Sequence, residues 1–133
     1  MSRGGEQLTG EQRCRCGSGN AYQACCGPLH DNRVQATTAE QLMRSRYSAY
    51  ALGRLDHVFR TWHPRTRPDH IEPTPGLTWT GLRIHRTEGG QPGEEEGVVE
   101  FVASYCTAEG PGAQQERSRF ARRAGRWFYL DAS

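Results

Sequence analysis

The spacing of apolar residues predicts two helices in the first half of the chain. The first helix should begin at Thr37, an N-cap that forms a capping box with Glu40, and should end at Gly53. A second, shorter helix is predicted over 55–62, because Pro64 cannot continue it. The apolar positions that define the first helix are Leu42, Met43, Tyr47, Tyr50 and Ala51.

Beyond Leu77 the pattern changes to the alternation that is typical of β-strands. Glycine and proline separate the alternating segments, and the last connection is a two-residue hairpin, Ala124-Gly125. Such consecutive strands form an antiparallel sheet, one face of which the two helices can cover. The sequence therefore predicts an α+β fold, with helices first and sheet second. The predicted strands are 77–87, 97–108, 115–123 and 126–131.

Two charged residues fall at positions that these patterns assign to the interior. Arg46 lies on the apolar stripe of the first helix, and Glu116 shares a strand face with Phe120. A buried arginine must either pair with a carboxylate or reach into a cavity. We therefore expect either an ion pair of Glu116 with Arg46 or Arg44, or a pocket between helices and sheet. The candidate pocket residues are Arg44, Arg46, Tyr50, Trp62, His63 and Glu116.

Four of the five cysteines lie in one short, glycine-rich segment over 14–26. This segment has too few apolar side chains to fold without disulfides or a tetrahedral zinc ion. A Cys25–Cys26 disulfide would be strained, because neighbouring Cα atoms lie about 3.8 Å apart and a relaxed disulfide prefers about 5.5–6 Å. Crosswise disulfides need an oxidising compartment, whereas residues 1–12, an expected flexible tail, contain no signal-like apolar run. Zinc in a cytoplasmic protein fits better, with His30 as a possible substitute ligand.

Composition narrows the classes of function further. The chain has 133 residues, which is enough for one domain beside a small metal module. Its 17 basic and 15 acidic residues give a net charge of only +2, which argues against a dedicated nucleic-acid binder. No apolar run is long enough to span a membrane. The fifth cysteine, Cys106, falls on the predicted sheet, where we expect a free core cysteine.

Motifs along nearly the whole chain resemble one bacterial family. The segment Cys14-x-Cys16-Gly17-Ser18-Gly19, followed by Tyr22 and Cys25-Cys26-Gly27, is similar to the SEC-C zinc motif. Together with this segment, the remaining motifs resemble the YchJ family of uncharacterised proteins, over about residues 14 to 131. These motifs are Leu42-Met43-Arg44-Ser45-Arg46-Tyr47-Ser48-Ala49-Tyr50, Thr61-Trp62-His63-Pro64, Glu116-Arg117-Ser118-Arg119-Phe120 and Trp127-Phe128-Tyr129-Leu130-Asp131.

The resemblance implies a division of the chain and a set of metal ligands. It implies a SEC-C zinc knuckle over 13–30, followed over 31–133 by a cone-shaped domain of the nuclear transport factor 2-like type. It implies no established reaction. The zinc ligands that it implies are Cys14, Cys16, Cys25 and Cys26.

Three functional hypotheses follow. SEC-C knuckles in similar proteins dock onto other proteins, so Arg13, Arg15 and Tyr22 could bind an acidic protein surface. Alternatively, the cone could enclose a small-molecule or enzymatic pocket. A third possibility is that the knuckle binds RNA or the ribosome. The sequence favours a binding protein over an enzyme, because it shows neither an activated nucleophile nor a tight pair of carboxylates.

Overall fold

The computed structural model describes residues 12–132, and nearly all of the predicted tail over 1–12 lies outside the described residues. Within them the structure confirms the predicted α+β class, with helices preceding a four-stranded antiparallel sheet. In chain order the elements are a 3₁₀ helix Tyr22–Ala24, α1 Cys26–His30, α2 Ala39–Leu52, α3 Leu55–Arg60, β1 Thr78–Gly89, β2 Glu96–Thr107, β3 Gly110–Arg123 and β4 Arg126–Ala132.

The N-terminus of α2 differs by one residue from the prediction. Thr38 is the N-cap, because its Oγ1 accepts a hydrogen bond from the backbone N–H of Gln41 at 3.0 Å. Gln41 in turn accepts from the backbone N–H of Thr37, the residue before the N-cap, at 2.7 Å, so glutamine and not Glu40 reaches back across the helix start. The predicted end is confirmed: Gly53 adopts φ 77°, a left-handed conformation that glycine favours.

Helix α3 ends at Arg60, two residues earlier than predicted. The next residues leave the helix and run alongside β4: the backbone N–H of Tyr129 donates to Thr61 O, and that of His63 donates to Tyr129 O, both at 2.8 Å. Trp62 forms a parallel bridge with Tyr129 between these two bonds. Pairing with the sheet replaces the last helical turn and brings Trp62 against β4.

The sheet is a meander in the order β1-β2-β3-β4, bent by register shifts in the β1–β2 and β3–β4 pairings. Strand β3 begins at Gly110, so most of the interval between the predicted strands 97–108 and 115–123 is also strand. Glycine is favoured at position 112, because a Cβ there would lie 2.6 Å from the Tyr105 ring and would clash with it. Cys106 is exposed beside the hairpin turn, so the expectation of a core cysteine was wrong.

Helix α2 lies across the sheet and closes the core. Phe120 and Ser118 on β3 are 2% and 1% exposed, which confirms the inner face predicted for Glu116, Ser118 and Phe120. Arg119 on the opposite face instead forms an exposed ion pair with Asp131 of β4 at 2.7 Å. The core comprises Leu29, Ala36, Ala39, Leu42, Met43, Tyr47, Val99, Phe101, Ala103, Phe120 and Trp127.

Candidate metal centre and ligand pocket

The structure brings the four cysteines of the N-terminal segment to one point. Their Sγ atoms all lie within 4.8 Å of one another, with 3.6 Å between Cys16 and Cys25 and 3.9 Å between Cys25 and Cys26. Four sulfurs about 2.3 Å from a central zinc would be about 3.8 Å apart by tetrahedral geometry. These separations also far exceed the roughly 2.05 Å of a disulfide. Cys14, Cys16, Cys25 and Cys26 can therefore hold a metal ion.

Backbone turns position these thiols. Gly17 and Gly19 adopt φ 83° and 88°, which a side chain would disfavour, and they reverse the chain after Cys16. The N–H of Cys14 donates to Asn20 O at 2.8 Å, which closes the loop. Ser18 Oγ lies 3.2 Å from Cys25 Sγ and can donate to its thiolate, the kind of outer contact that fixes a metal ligand.

The close packing also separates the acidities of the thiols. Hydrogen bonds from Cys14 and Cys26 lower the pKa of the Cys16 thiol well below its usual range. The partner thiols respond in the opposite direction: the hydrogen bond with Cys16 raises the pKa of Cys14 to about 11, and hydrogen bonds with Cys14 and Cys16 raise that of Cys26. Without a cation, one thiolate is therefore stabilised by its neighbours, and a bound metal would stabilise all four.

His30 is neither a metal ligand nor a surface residue. It lies at the end of α1, a helix of five residues, and is only 1% exposed. Its Nε2 lies 2.9 Å from Ser45 O, which can only accept, so Nε2 carries the proton. Nδ1 consequently accepts from the Tyr22 hydroxyl at 2.6 Å. Burial lowers the pKa of His30, which keeps the ring neutral.

A second histidine extends this arrangement. His57 is 2% exposed, and its ring centroid lies 4.9 Å from that of His30. Ser45 Oγ donates to Leu42 O, so it accepts from His57 Nε2 at 2.9 Å. Burial lowers the pKa of His57 to about 3. We call Tyr22, His30, Ser45, Ser48 and His57 the histidine cluster, and none of its buried side-chain polar atoms lacks a hydrogen bond partner.

Several arginines attach the knuckle to the rest of the protein. Arg44, predicted for the pocket, instead donates to Cys16 O at 2.7 Å and pairs with Glu40 at 3.0 Å. Arg54 and Arg60 both donate to His30 O, at 3.1 and 3.2 Å. These bonds satisfy a C-terminal carbonyl of α1, and they explain how a five-residue helix is held in place.

The three residues proposed for docking do not form one exposed surface. Arg15 is half-buried and donates to Trp79 O at 2.9 Å, and Tyr22 donates to His30 in the interior. Arg13 is exposed, with its guanidinium bonded to Gly19 O within the knuckle. Binding of an acidic protein, or of RNA, to this region stays a prediction that now involves Arg13 more than the other two residues.

A pocket of about 360 Å³ lies between α2 and the sheet. Of the six residues predicted for it, Arg46, Tyr50, Trp62 and Glu116 line it together. His63 lies outside, because its backbone pairs with β4 and its ring packs on the edge of Phe128. The remaining lining residues, which sequence reasoning did not select, are Met43, Tyr47, Trp79, Phe101, Ala103, Gln114, Ser118 and Tyr129. Most of them alternate along the strands with outward positions, and this periodicity could have identified them.

The predicted ion pair between Arg46 and Glu116 does not form. Arg46 is 4% exposed, and its Nη1 donates to Val58 O and to Thr61 Oγ1, both at 2.8 Å. Its guanidinium lies over the Tyr129 ring at 4.5 Å and the Trp62 ring at 5.2 Å. Burial lowers the pKa of Arg46 to about 10, so it stays charged at neutral pH.

Among the other polar groups of the pocket, Glu116 has only neutral partners and Trp62 Nε1 has none within the described chain. Glu116 accepts from Gln114 Nε2 at 2.9 Å and from Ser118 Oγ at 3.3 Å, and both donors are neutral. Trp62 Nε1 is buried and has no hydrogen bond partner in the part of the chain that the structure describes. Burial, with a smaller effect of Glu116, raises the pKa of Tyr129 to about 12. The pocket thus contrasts with the fully bonded histidine cluster.

Known proteins share both the sequence and the fold. The family described as YchJ, middle NTF2-like domain, matches residues 38–132. A UPF0225 protein of Deinococcus radiodurans is 51% identical over 121 residues, which cover 90% of this chain and 88% of the relative. The chain belongs to the YchJ family. A second UPF0225 protein, from Streptomyces coelicolor, is 47% identical over 118 residues, or 89% of this chain and 92% of the relative.

Two solved structures extend the likeness of this YchJ-family chain to the knuckle. The solution structure of a SEC-C motif containing protein from Rhodopseudomonas palustris superposes with a TM-score of 0.81 at 32% identity, covering 92% of this chain and 98% of the other. A crystal structure of a SEC-C motif containing protein from Psychrobacter arcticus gives a TM-score of 0.78 at 28% identity, covering 94% of this chain and 84% of the other.

Among residues 12–132, no helix has the length and apolar character needed to cross a membrane.

Proposed function

We propose that this YchJ-family protein binds a small organic molecule in the pocket between α2 and the sheet, while a structural zinc ion in the knuckle supports that pocket. The observation that carries the proposal is Arg46, a charge that is almost fully buried, lines the pocket and has no carboxylate partner among the described residues. A buried charge without a counter-charge is costly unless something else in the cavity interacts with it.

The size and walls of the pocket support this proposal. Its volume of about 360 Å³ lies within the range of roughly 300–1,000 Å³ that is usual for small-molecule sites. Such sites are mainly apolar and aromatic, with a few polar groups that orient the ligand. Here Tyr47, Trp79 and Phe101 supply apolar surface, and Arg46 and Glu116 supply the polar groups.

Zinc is the metal that best matches the knuckle. Four thiolates at tetrahedral spacing are the usual ligands of structural zinc. The ion would order Cys16, whose carbonyl accepts from Arg44 of α2, so the metal site is linked directly to the helix that forms one pocket wall. The thiols must remain reduced for this role, which requires a reducing compartment such as the cytoplasm.

Binding is favoured over catalysis by the groups that line the pocket. No histidine or cysteine is among the described lining residues, and Glu116 is their single carboxylate. Ser118 Oγ donates to Glu116 at 3.3 Å, but neither Ser118 nor Tyr129 has a histidine in the pocket that could activate it. The arrangement can hold and orient a ligand, but its described lining residues do not include the histidine or cysteine of a usual nucleophile–base pair.

A fragment screen monitored by NMR tests the proposal. Of the three tryptophans, Trp62 and Trp79 line the pocket, whereas Trp127 does not and donates through its indole N–H to Thr37 O. Fragments that bind in the pocket should shift the indole signals of Trp62 and Trp79 and leave that of Trp127 unchanged.

Leucine substitutions at two alanine positions make this screen specific. Ala103→Leu should reduce fragment binding by filling the pocket, whereas Ala113→Leu, at an exposed position of β3, should not. A screen without any hit at the two pocket indoles, or hits that Ala103→Leu does not weaken while it remains folded, would contradict the proposal.

A further inference from the structure

The pocket contains two opposite charges that face it from different elements. Arg46 extends from α2, and Glu116 extends from β3. They interact electrostatically but form neither a hydrogen bond nor an ion pair with each other. The two charges therefore leave between them a space that a ligand can bridge.

This charge arrangement selects among ligand classes. An organic anion would be attracted by Arg46 and repelled by Glu116, and an organic cation would experience the reverse. A molecule that carries both charges can satisfy both side chains at once, and hydrogen bonds between charged groups are about twice as strong as neutral ones. The pocket's own charges sum to zero, which matches a ligand of zero net charge.

The remaining walls indicate the body of the ligand. The Trp79 ring meets Tyr47 edge to face, with ring centroids 6.0 Å apart, and both line the pocket together with Phe101. Flat, apolar surfaces of this kind favour a planar or aromatic group, since aromatic pairs stabilise one another beyond the burial of their area. Tyr50, which also lines the pocket, is 38% exposed, so the pocket wall reaches solvent at this residue.

We infer that the pocket recognises a small zwitterion with an aromatic or planar apolar body, whose anionic group binds Arg46 and whose ammonium group binds Glu116. This inference rests on the proposed function, because it requires that the pocket binds small molecules at all. It adds the chemical class of the ligand and assigns a separate role to each of the two charged residues.

Three probes that share one aromatic ring test this inference. L-Phenylalanine carries both charges, phenylacetate only the negative charge, and phenethylamine only the positive charge. Dissociation constants are measured on the full chain from the shifts of the Trp62 and Trp79 indole signals. We expect L-phenylalanine to bind about tenfold or more tightly than either of the other two probes.

Two variants assign the charges. In Arg46→Met the carboxylate should lose its partner, so L-phenylalanine should bind no better than phenethylamine. In Glu116→Gln the ammonium should lose its partner, so L-phenylalanine should bind no better than phenylacetate. Thermal unfolding of each variant shows whether the fold is retained, and Glu116→Gln keeps the inference testable if Arg46→Met does not fold.

The outcomes separate this inference from the proposed function. If fragments bind at the two indoles but L-phenylalanine shows no preference, or does not bind, the zwitterion inference is overturned and the ligand-binding function stands. If the two variants weaken all three probes equally, the assignment of charges is also wrong. If neither fragments nor probes reach the pocket, both proposals fail.

Discussion

Two polar clusters lie on opposite faces of α2, and they differ in how completely their polar groups are bonded. Ser45 and Ser48 belong to the histidine cluster, where every buried side-chain polar atom has a partner. Arg46 faces the pocket, where a buried cation has no carboxylate partner and Trp62 Nε1 has no partner among the described residues. A completed network stabilises one structure, whereas an incomplete one costs stability and leaves interactions for a ligand.

The difference has consequences for each side of the helix. On the knuckle side, removing any group should leave another group unsatisfied and destabilise the protein. On the pocket side, removing a charge should cost little stability and should instead reduce binding. The predictions below begin with the metal that holds the knuckle side together.

The largest effect is expected from loss of the metal. Structural zinc contributes about 10–16 kcal/mol to the folding of finger peptides, and the knuckle has almost no apolar core of its own. Purified protein should contain one zinc per chain by elemental analysis, and Cys16→Ser or a strong chelator should lower the melting temperature markedly. Cys106→Ser is the matched control, because this cysteine is exposed and distant in sequence from the site. Absence of stoichiometric zinc, with an unchanged melting curve after chelation, would contradict the prediction.

A smaller effect is expected from acid. The pKa of His57 is lowered to about 3 in the folded protein from an unfolded value of 6.5, so the unfolded chain binds more protons between these values. This contribution to the free energy of unfolding is therefore fully present above about pH 6.5. It decreases as the pH falls, and about 2 kcal/mol is lost at pH 5. The lowered pKa of His30 acts in the same direction.

Urea unfolding at pH 7 and pH 5 measures this effect. His57→Gln should show a smaller difference between the two pH values than the wild type, because it removes one titrating group. His70→Gln is the control, since His70 is exposed and pairs only with Glu72 in the described chain. Acid release of zinc is common to all three proteins and cancels in the comparison. An equal pH dependence in wild type and His57→Gln would show that the buried ring does not control acid stability.

The two clusters also differ in how far sequence reasoning could reach them. The pocket side follows from periodicity, because the helical stripe contains Arg46 and the strand alternation contains Glu116. Their separation could not be predicted, since it depends on how the register shifts bend the sheet. The histidine cluster gave no local signal. His30 lies on a helix too short to be stable alone, and its partner Ser45 is 15 residues away.

The smallest effect on stability is expected at Arg46 of α2, and its comparison with Arg44 of the same helix is the sharpest test. Arg44→Met removes the donor to Cys16 O and should cost about 1–3 kcal/mol in the free energy of unfolding, because a carbonyl beside the metal site loses a charged partner. Arg46→Met should change the free energy of unfolding by less than about 1 kcal/mol. It loses the bonds to Val58 O and Thr61 Oγ1, but it also removes a buried charge that has no counter-charge among the described residues. Thr61 Oγ1 keeps its own bond to His57 O. Urea unfolding of both variants at pH 7 gives the two values. A larger loss in Arg46→Met than in Arg44→Met would mean that the buried guanidinium serves the fold, and the pocket would then need no ligand to explain it.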